Sequence, residues 1–278
     1  MASSTTAVTT LNYILPPPDD SRPYTTINAD PATGQRRHNW VDHEMPVQIE
    51  DVRGKEDQFT LDTAGFQFAR HAVTHTRFAD DAEIQKEYYP ESVEIIKKMT
   101  GASRVVIFDH DIRRGRPRAA GTTPQRGKGA AMPHVDQTTR SAIARVHRHL
   151  PPADVPALLE RRFQIINLMR PISHAALDRP LALCDFRSVD VEADLMPIAL
   201  VYPDREGETY GVRYNPRHEW KYLRGMEPDE FILYKCFDSV QDGSVATLTP
   251  HTGIYDPTTP EGAPLRNSIE LRALVFYD

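Results

Sequence analysis

From residue 163 to residue 278 the chain breaks into a succession of short apolar runs separated by turn residues, and this limits its possible folds more than any other feature. The runs are FQIINLMRPI (163–172), LALCDF (181–186), MPIALVYP (196–203), ETYGVRYNP (208–216), HEWKYL (218–223), EFILYKCFDS (230–239), VATLTPH (245–251) and SIELRALVFYD (268–278). Such runs, rich in β-branched and aromatic residues with Gly, Pro or Asp between them, read as strands. Upstream, DDAEIQKEYYPESVEIIKKMTGA (80–102) has helical spacing with Gly101 placed as a C-cap. A second helical pattern in VDQTTRSAIARVHRHL (135–150) stops at Pro151-Pro152, and a short helix follows in 153–162. A mostly β chain with flanking helices predicts a β-sandwich or barrel buttressed by those helices.

The remaining segments complete one expected domain over 1–278. RVVIFDHDIRR (104–114) reads as a buried strand, and the runs 45–53 and 59–71 read as a hairpin. Residues 1–50, rich in Pro, Thr, Asp and Asn, read as an irregular N-terminal arm. RRGRPRAAGTTPQRGKG (113–129) reads as a flexible loop beside the functional site.

Charge narrows the partners. A net charge of −6 argues against broad binding to nucleic acid or anionic membrane. No stretch reaches the roughly 20 apolar residues that span a bilayer, and the N-terminus lacks a secretory signal. Cys184 and Cys236 lie in apolar runs and read as buried thiols. A cytoplasmic location and a small-molecule partner are expected.

The chemistry is concentrated in three places. In AAMPHVDQTTR (130–140), His134 and Asp136 are one residue apart, so both project from one side of a strand end. Two imidazoles and one carboxylate on one face suit non-haem iron(II), with the opposite face open. The third ligand must come from afar, and His251 in ATLTPHTGIYDP is the candidate. In PLRNSIELRALVFYD, strand spacing puts Arg266, Ser268, Glu270 and Arg272 on one face and Ile269, Leu271, Ala273 and Val275 on the other. Two inward arginines need anionic partners. Glu270 can neutralise one; the other suits a carboxylate, which points to 2-oxoglutarate as a co-substrate. Asn167 and Arg170 are further candidates for the pocket, although strand alternation brings both inward only at a bulge or strand end. Thr138 is a candidate for the pocket wall. His71 with His75 and His147 with His149 lack a third ligand nearby and read as structural, while Tyr202, Tyr214, Trp220 and Tyr234 read as core aromatics.

The stretches EIIKKMTGASRVVIFDHDIRR, PHVDQT, NLMRPI, LALCDFRSVD, WKYLRGMEPDEFILYKCFDS, TPHTGIYDP and RNSIELRALVFYD together resemble the fungal hydroxylase/desaturase family. That family includes a gibberellin desaturase, an aspergillic-acid pathway hydroxylase and a cephamycin methoxylation protein. The resemblance implies a double-stranded β-helix (jelly-roll, cupin-like) core and a dioxygenase using iron(II), 2-oxoglutarate and O2. It carries the metal ligands onto His134, Asp136 and His251, and the co-substrate anchor onto Arg266 and Ser268. It departs at Met169, where the family's pattern has Trp before Arg. The implied reaction is hydroxylation, desaturation or ring closure of a small natural product. The alternatives are a non-catalytic jelly-roll binding protein and a nucleic-acid demethylase.

Overall fold

The computed structural model describes residues 6–115 and 132–278. In chain order the strands are β1 (Thr6–Leu15), β2 (Tyr24–Thr26), β3 (Val41–Asp51), β4 (Phe66–Arg70), β5 (Arg104–Arg114), β6 (His134–Val135) and β7 (Phe163–Pro171). They continue with β8 (Leu181–Cys184), β9 (Leu195–Val201), β10 (Glu206–Val212), β11 (Trp220–Tyr222), β12 (Glu230–Asp238), β13 (His251–Gly253) and β14 (Asn267–Phe276). The helices are α1 (Asp81–Glu83), α2 (Tyr89–Thr100), α3 (Thr139–His149), α4 (Val155–Leu159) and α5 (Val191–Asp194), and a π-helical turn, Ile84–Tyr88, joins α1 to α2.

Two sheets form. The larger has nine strands in the order β1-β3-β11-β8-β13-β6-β10-β9-β2, and the smaller has five in the order β4-β12-β7-β14-β5. Most pairings are antiparallel; β3 with β11 and β2 with β9 are parallel. Two facing sheets that bury their inner sides against each other give the expected jelly-roll architecture.

Strand alternation explains why both faces of the smaller sheet are apolar. Ile165, Met169, Ile232, Leu274 and Phe276 point inward and pack with Leu181 and Leu183 of β8. Their neighbours Ile166, Leu168, Ile269, Leu271, Ala273 and Val275 point outward, under Ile84, Tyr88, Ile95 and Ile96 of the α1–α2 segment. Helix α2 ends where expected, at Gly101, whose φ of 73° is the left-handed conformation a C-cap requires. Helix α3 starts on a capping box between Thr138 and Ser141. The outer side of β8, through Ala182 and Cys184, packs with Leu11, Tyr13, Val47 and Ile49 of the N-terminal strands.

Two expectations fail here. Residues 1–50 are not an irregular arm. β1 and β3 pair over their whole length, from Thr6↔Glu50 to Leu15↔Val41, and Ala7, Leu11 and Tyr13 alternate into the core. The runs 45–53 and 59–71 do not form a hairpin either, because β3 pairs with β1 and β11 while β4 pairs with β12 in the other sheet. Of the expected loop 113–129, Arg113 and Arg114 end β5, and residues 116–129 lie outside the described residues. No described helix is long and apolar enough to cross a membrane.

Candidate metal centre and active site

His134 opens β6 and faces His251, the first residue of β13, as its direct cross-strand partner. Asp136 follows β6 immediately, so it stays on the same side as His134. The three residues offer ligand atoms that all lie within 4.8 Å of one another, and no other such group occurs among the described residues. His134 Nε2 is 3.4 Å from Asp136 Oδ1, and His251 Nε2 is 3.7 Å from the same oxygen.

The far nitrogens of both rings are committed to backbone. His134 Nδ1 donates to the carbonyl of Met132 at 2.9 Å, and His251 Nδ1 donates to that of Thr249 at 3.0 Å. This fixes the tautomer and leaves each Nε2 lone pair facing Asp136, the arrangement a metal-ligating histidine needs. The Thr249 carbonyl is positioned in turn by its own side chain, whose hydroxyl donates to Gly65 O at 2.7 Å. Gly65 has φ 87°, and a methyl group there would lie 2.6 Å from Thr249 Oγ1, so only glycine allows this approach.

Asp136 reaches from the larger sheet to the smaller one. Its Oδ2 accepts from Asn167 Nδ2 at 2.9 Å on β7 and from Arg272 Nε at 3.2 Å on β14. Asn167 also donates to Tyr234 Oη at 3.2 Å, Tyr234 donates to Glu270 Oε2 at 2.8 Å, and Arg272 donates to Glu270 Oε1 at 2.7 Å. Asp136, Asn167, Tyr234, Glu270 and Arg272 thus close a ring of hydrogen bonds behind the triad. Asn167 Oδ1 stays buried without a protein partner among the described residues.

The charges follow from these contacts. Burial would raise the Asp136 carboxyl, but the hydrogen bond with His134 and the charge of Arg272 hold it well below the carboxylate range. Burial, with His134 beside it, pushes His251 down to about 4, so its ring is neutral at physiological pH. Burial would also lower His134, but Asp136 outweighs it and its pKa lies above the usual value. Burial, Glu270 and Asp136 drive the Tyr234 phenol well above its ordinary range, which keeps it a donor. Two imidazoles with free Nε2 atoms and one ionised carboxylate fit a divalent transition metal.

Arg266, just before β14, and Ser268, Glu270 and Arg272 within it differ in their partners. Arg272 is saturated by Asp136, Glu270 and, at 3.1 Å, Asp109. Arg266 is buried, its Nε donating to Ser268 Oγ at 2.9 Å and its Nη1 to Arg179 O at 3.0 Å. No carboxylate comes within 4.0 Å of its guanidinium among the described residues, and residues 1–5 and 116–131 contain no Asp or Glu. Burial and the charge of Arg113 lower its pKa, but a guanidinium stays charged. Arg266 and Ser268 line a narrow cleft with Met169, Leu181, Met226 and Ile232.

Arg170 does not belong here. β7 pairs with β14 from Ser268↔Pro171 to Phe276↔Phe163 without a bulge, so Arg170 faces away from Asn167. It lies fully buried under the π-turn, donating to His71 O at 3.1 Å and set over the rings of Tyr88 and Phe231. Thr138 caps α3 and donates to Glu208 at 2.6 Å. His75 pairs with Glu87, and His149 stacks on Phe108, both away from the triad. Tyr234 lies in the core as expected, and its hydroxyl also ties Asn167 to Glu270. Asp109 and the carbonyls of Met132 and Thr249 carried no sequence signal, because their roles depend on pairings between distant strands.

A family profile described as "Oxidoreductase/YMDC permease-like domain" matches residues 11–276. The chain is 33% identical to the hydroxylase/desaturase efuI of Hormonema carpetanum over 91% of this chain and 95% of that protein. It is 30% identical to the Fe(II)/2-oxoglutarate-dependent dioxygenase nvfI of Aspergillus novofumigatus over 91% of this chain and 90% of that one. A solved structure of the iron and alpha-ketoglutarate-dependent endoperoxidase NvfI superposes with a TM-score of 0.82 at 28% identity, covering 98% of each chain.

Proposed function

The chain belongs to the fungal iron(II)- and 2-oxoglutarate-dependent hydroxylase/desaturase family, and from that premise we propose how its residues carry out an oxidation of a small natural product. It is a dioxygenase that hydroxylates, desaturates or cyclises its substrate in secondary metabolism. His134, Asp136 and His251 hold iron(II). The observation that carries this assignment is the convergence of the three side chains with both Nε2 atoms freed by backbone acceptors.

Iron(II) held there supplies oxygen activation coupled to the oxidative decarboxylation of 2-oxoglutarate to succinate. The protein's share is positioning and electrostatics. Asn167 and Arg272 hold the second oxygen of Asp136, leaving the oxygen near both histidines for the metal. Arg266 binds the distal carboxylate of 2-oxoglutarate, which supplies the anion this buried cation lacks, and Ser268 keeps its hydroxyl proton to donate to the same group. Arg272 has its charge consumed by Asp136, Glu270 and Asp109, so it orients rather than binds. Apolar Met169, Leu181, Met226 and Ile232 keep water from the co-substrate.

Aerobic incubation with iron(II) and 2-oxoglutarate, followed by mass analysis of succinate and of a panel of candidate metabolites, tests this reading. His134→Ala, Asp136→Ala and His251→Ala should each abolish iron binding and succinate formation. Retention of both by all three variants would show that the triad is not the iron site.

A further inference from the structure

A second cavity opens beside Asp136 between α3 and the β9–β10 hairpin. Charged residues line it on both sides, and pairing them off leaves a remainder. Glu206 lies 2.7 Å from Arg22 and 3.5 Å from Arg140. Glu208 lies 2.9 Å from Arg22 and 3.8 Å from Arg140, and it accepts the Thr138 hydroxyl. Arg205 lies 3.3 Å from Asp204 and sits over the ring of Tyr202. Asp136 is engaged by Arg272 and Asn167.

Arg145 and Arg148 are left over. Both line the cavity, and neither has a carboxylate within 4.0 Å among the described residues. Residues 1–5 and 116–131 contain no Asp or Glu, so no other part of the chain has one to offer. Arg145 is half-buried, with its guanidinium 5.1 Å from the Phe108 ring centre. Three residues apart on α3, the two arginines share a helix face. Two like charges set side by side, Arg145 partly out of water and Arg148 exposed beside it, repel each other unless an anion joins them. The same cavity offers apolar surface from Ala144, Leu200 and Tyr202.

We propose that the organic substrate is a carboxylic acid whose carboxylate is bound by Arg145 and Arg148, with its carbon skeleton laid over Leu200 and Tyr202 toward Asp136. This rests on Asp136 belonging to the centre of oxidation. The rise of α3 places Arg145 about 9 Å beyond its first residue, Thr139, on the helix that starts beside the triad. Arg266 takes the co-substrate's carboxylate and the α3 pair takes the substrate's, which keeps two acids of different shape apart.

Decanoate and neutral decanamide are suitable probes, titrated by calorimetry into the iron(II)- and 2-oxoglutarate-loaded protein without oxygen. The wild-type protein should bind decanoate at least about tenfold more tightly than decanamide, and Arg145→Gln and Arg148→Gln should each remove most of that preference. Arg145→Lys should restore part of it, and 2-oxoglutarate affinity should stay unchanged in all three variants. Arg148 is exposed, so its variant guards against misfolding at the packed Arg145. Equal binding of the two probes, no binding of either, a preference surviving both Gln variants, or a parallel loss of 2-oxoglutarate affinity would each overturn the proposal. Succinate formation by the wild-type protein is measured in a separate incubation in air. Its absence, with the acid preference intact, would sink the dioxygenase reading rather than the acid site.

Discussion

Arg266, just before β14, and Arg272 within it lie six residues apart, and the fold treats them in opposite ways. Arg272 meets three carboxylates, whereas among the described residues the Arg266 guanidinium meets only a hydroxyl and a backbone carbonyl. Both cations are withdrawn from solvent along one stretch of chain, so burial alone does not separate structure from function. Their partners do. A cation already neutralised joins strands, and one left with neutral oxygens keeps its charge for a ligand.

The largest expected effect comes from removing the neutralised member. Arg272→Met leaves Asp136 and Glu270 close together without their cation and should cost about 3–5 kcal/mol of stability, read by urea denaturation of the metal-free protein. Arg266→Met removes a buried charge that has no carboxylate partner, so stability should change by less than about 1 kcal/mol. Its affinity for 2-oxoglutarate should fall by about 2–3 kcal/mol in a titration of the iron-loaded protein. If Arg272→Ala raised the 2-oxoglutarate requirement more than Arg266→Ala, the two roles would have to be exchanged.

Gly65→Ala leaves both arginines alone and acts on the triad from behind. The added methyl meets Thr249 Oγ1 at 2.6 Å on a backbone with φ 87°, which should cost about 1–3 kcal/mol and weaken metal binding through His251. Weakened 2-oxoglutarate binding with normal metal content in this variant would mean that the two halves of the site are not separable. The smallest effect is with pH. His251 is deprotonated above about 4, whereas Asp136 raises His134 above its ordinary value, so His134 is the ligand for which protons compete. Metal affinity should therefore fall by about tenfold per pH unit as pH drops below the His134 pKa, and level off above it. A flat profile from pH 5 to 8 would contradict this.

How much of this the sequence revealed depends on how local each feature is. His134 and Asp136 were legible because strand alternation alone puts residues two apart on one side, and the inner face of β14 followed from the same rule. That rule also argued against Arg170 joining Asn167, and the unbroken β7–β14 register bears it out. β1 was missed although Ala7, Leu11 and Tyr13 alternate, because Pro16, Pro17 and Pro18 and the threonines around it suggested a loop. The false hairpin arose because neighbours in sequence were paired, when β3 and β4 find partners in different sheets. The ring through Tyr234 was out of reach because it needs β7, β12 and β14 in register at once.

The two histidines meet where the larger sheet is thinnest. β6 has two residues and β13 has three, and only the pair His251↔His134 joins them. An ion gripped by both rings would act as a rivet across this seam, adding a bond where backbone pairing is sparse. Loading the metal should then slow amide exchange across β6 and β13, and across β8 and β10 on either side, before any substrate is present. Chelation would loosen the same seam, so the state of the active centre could be followed in the mechanics of the sheet, without any turnover.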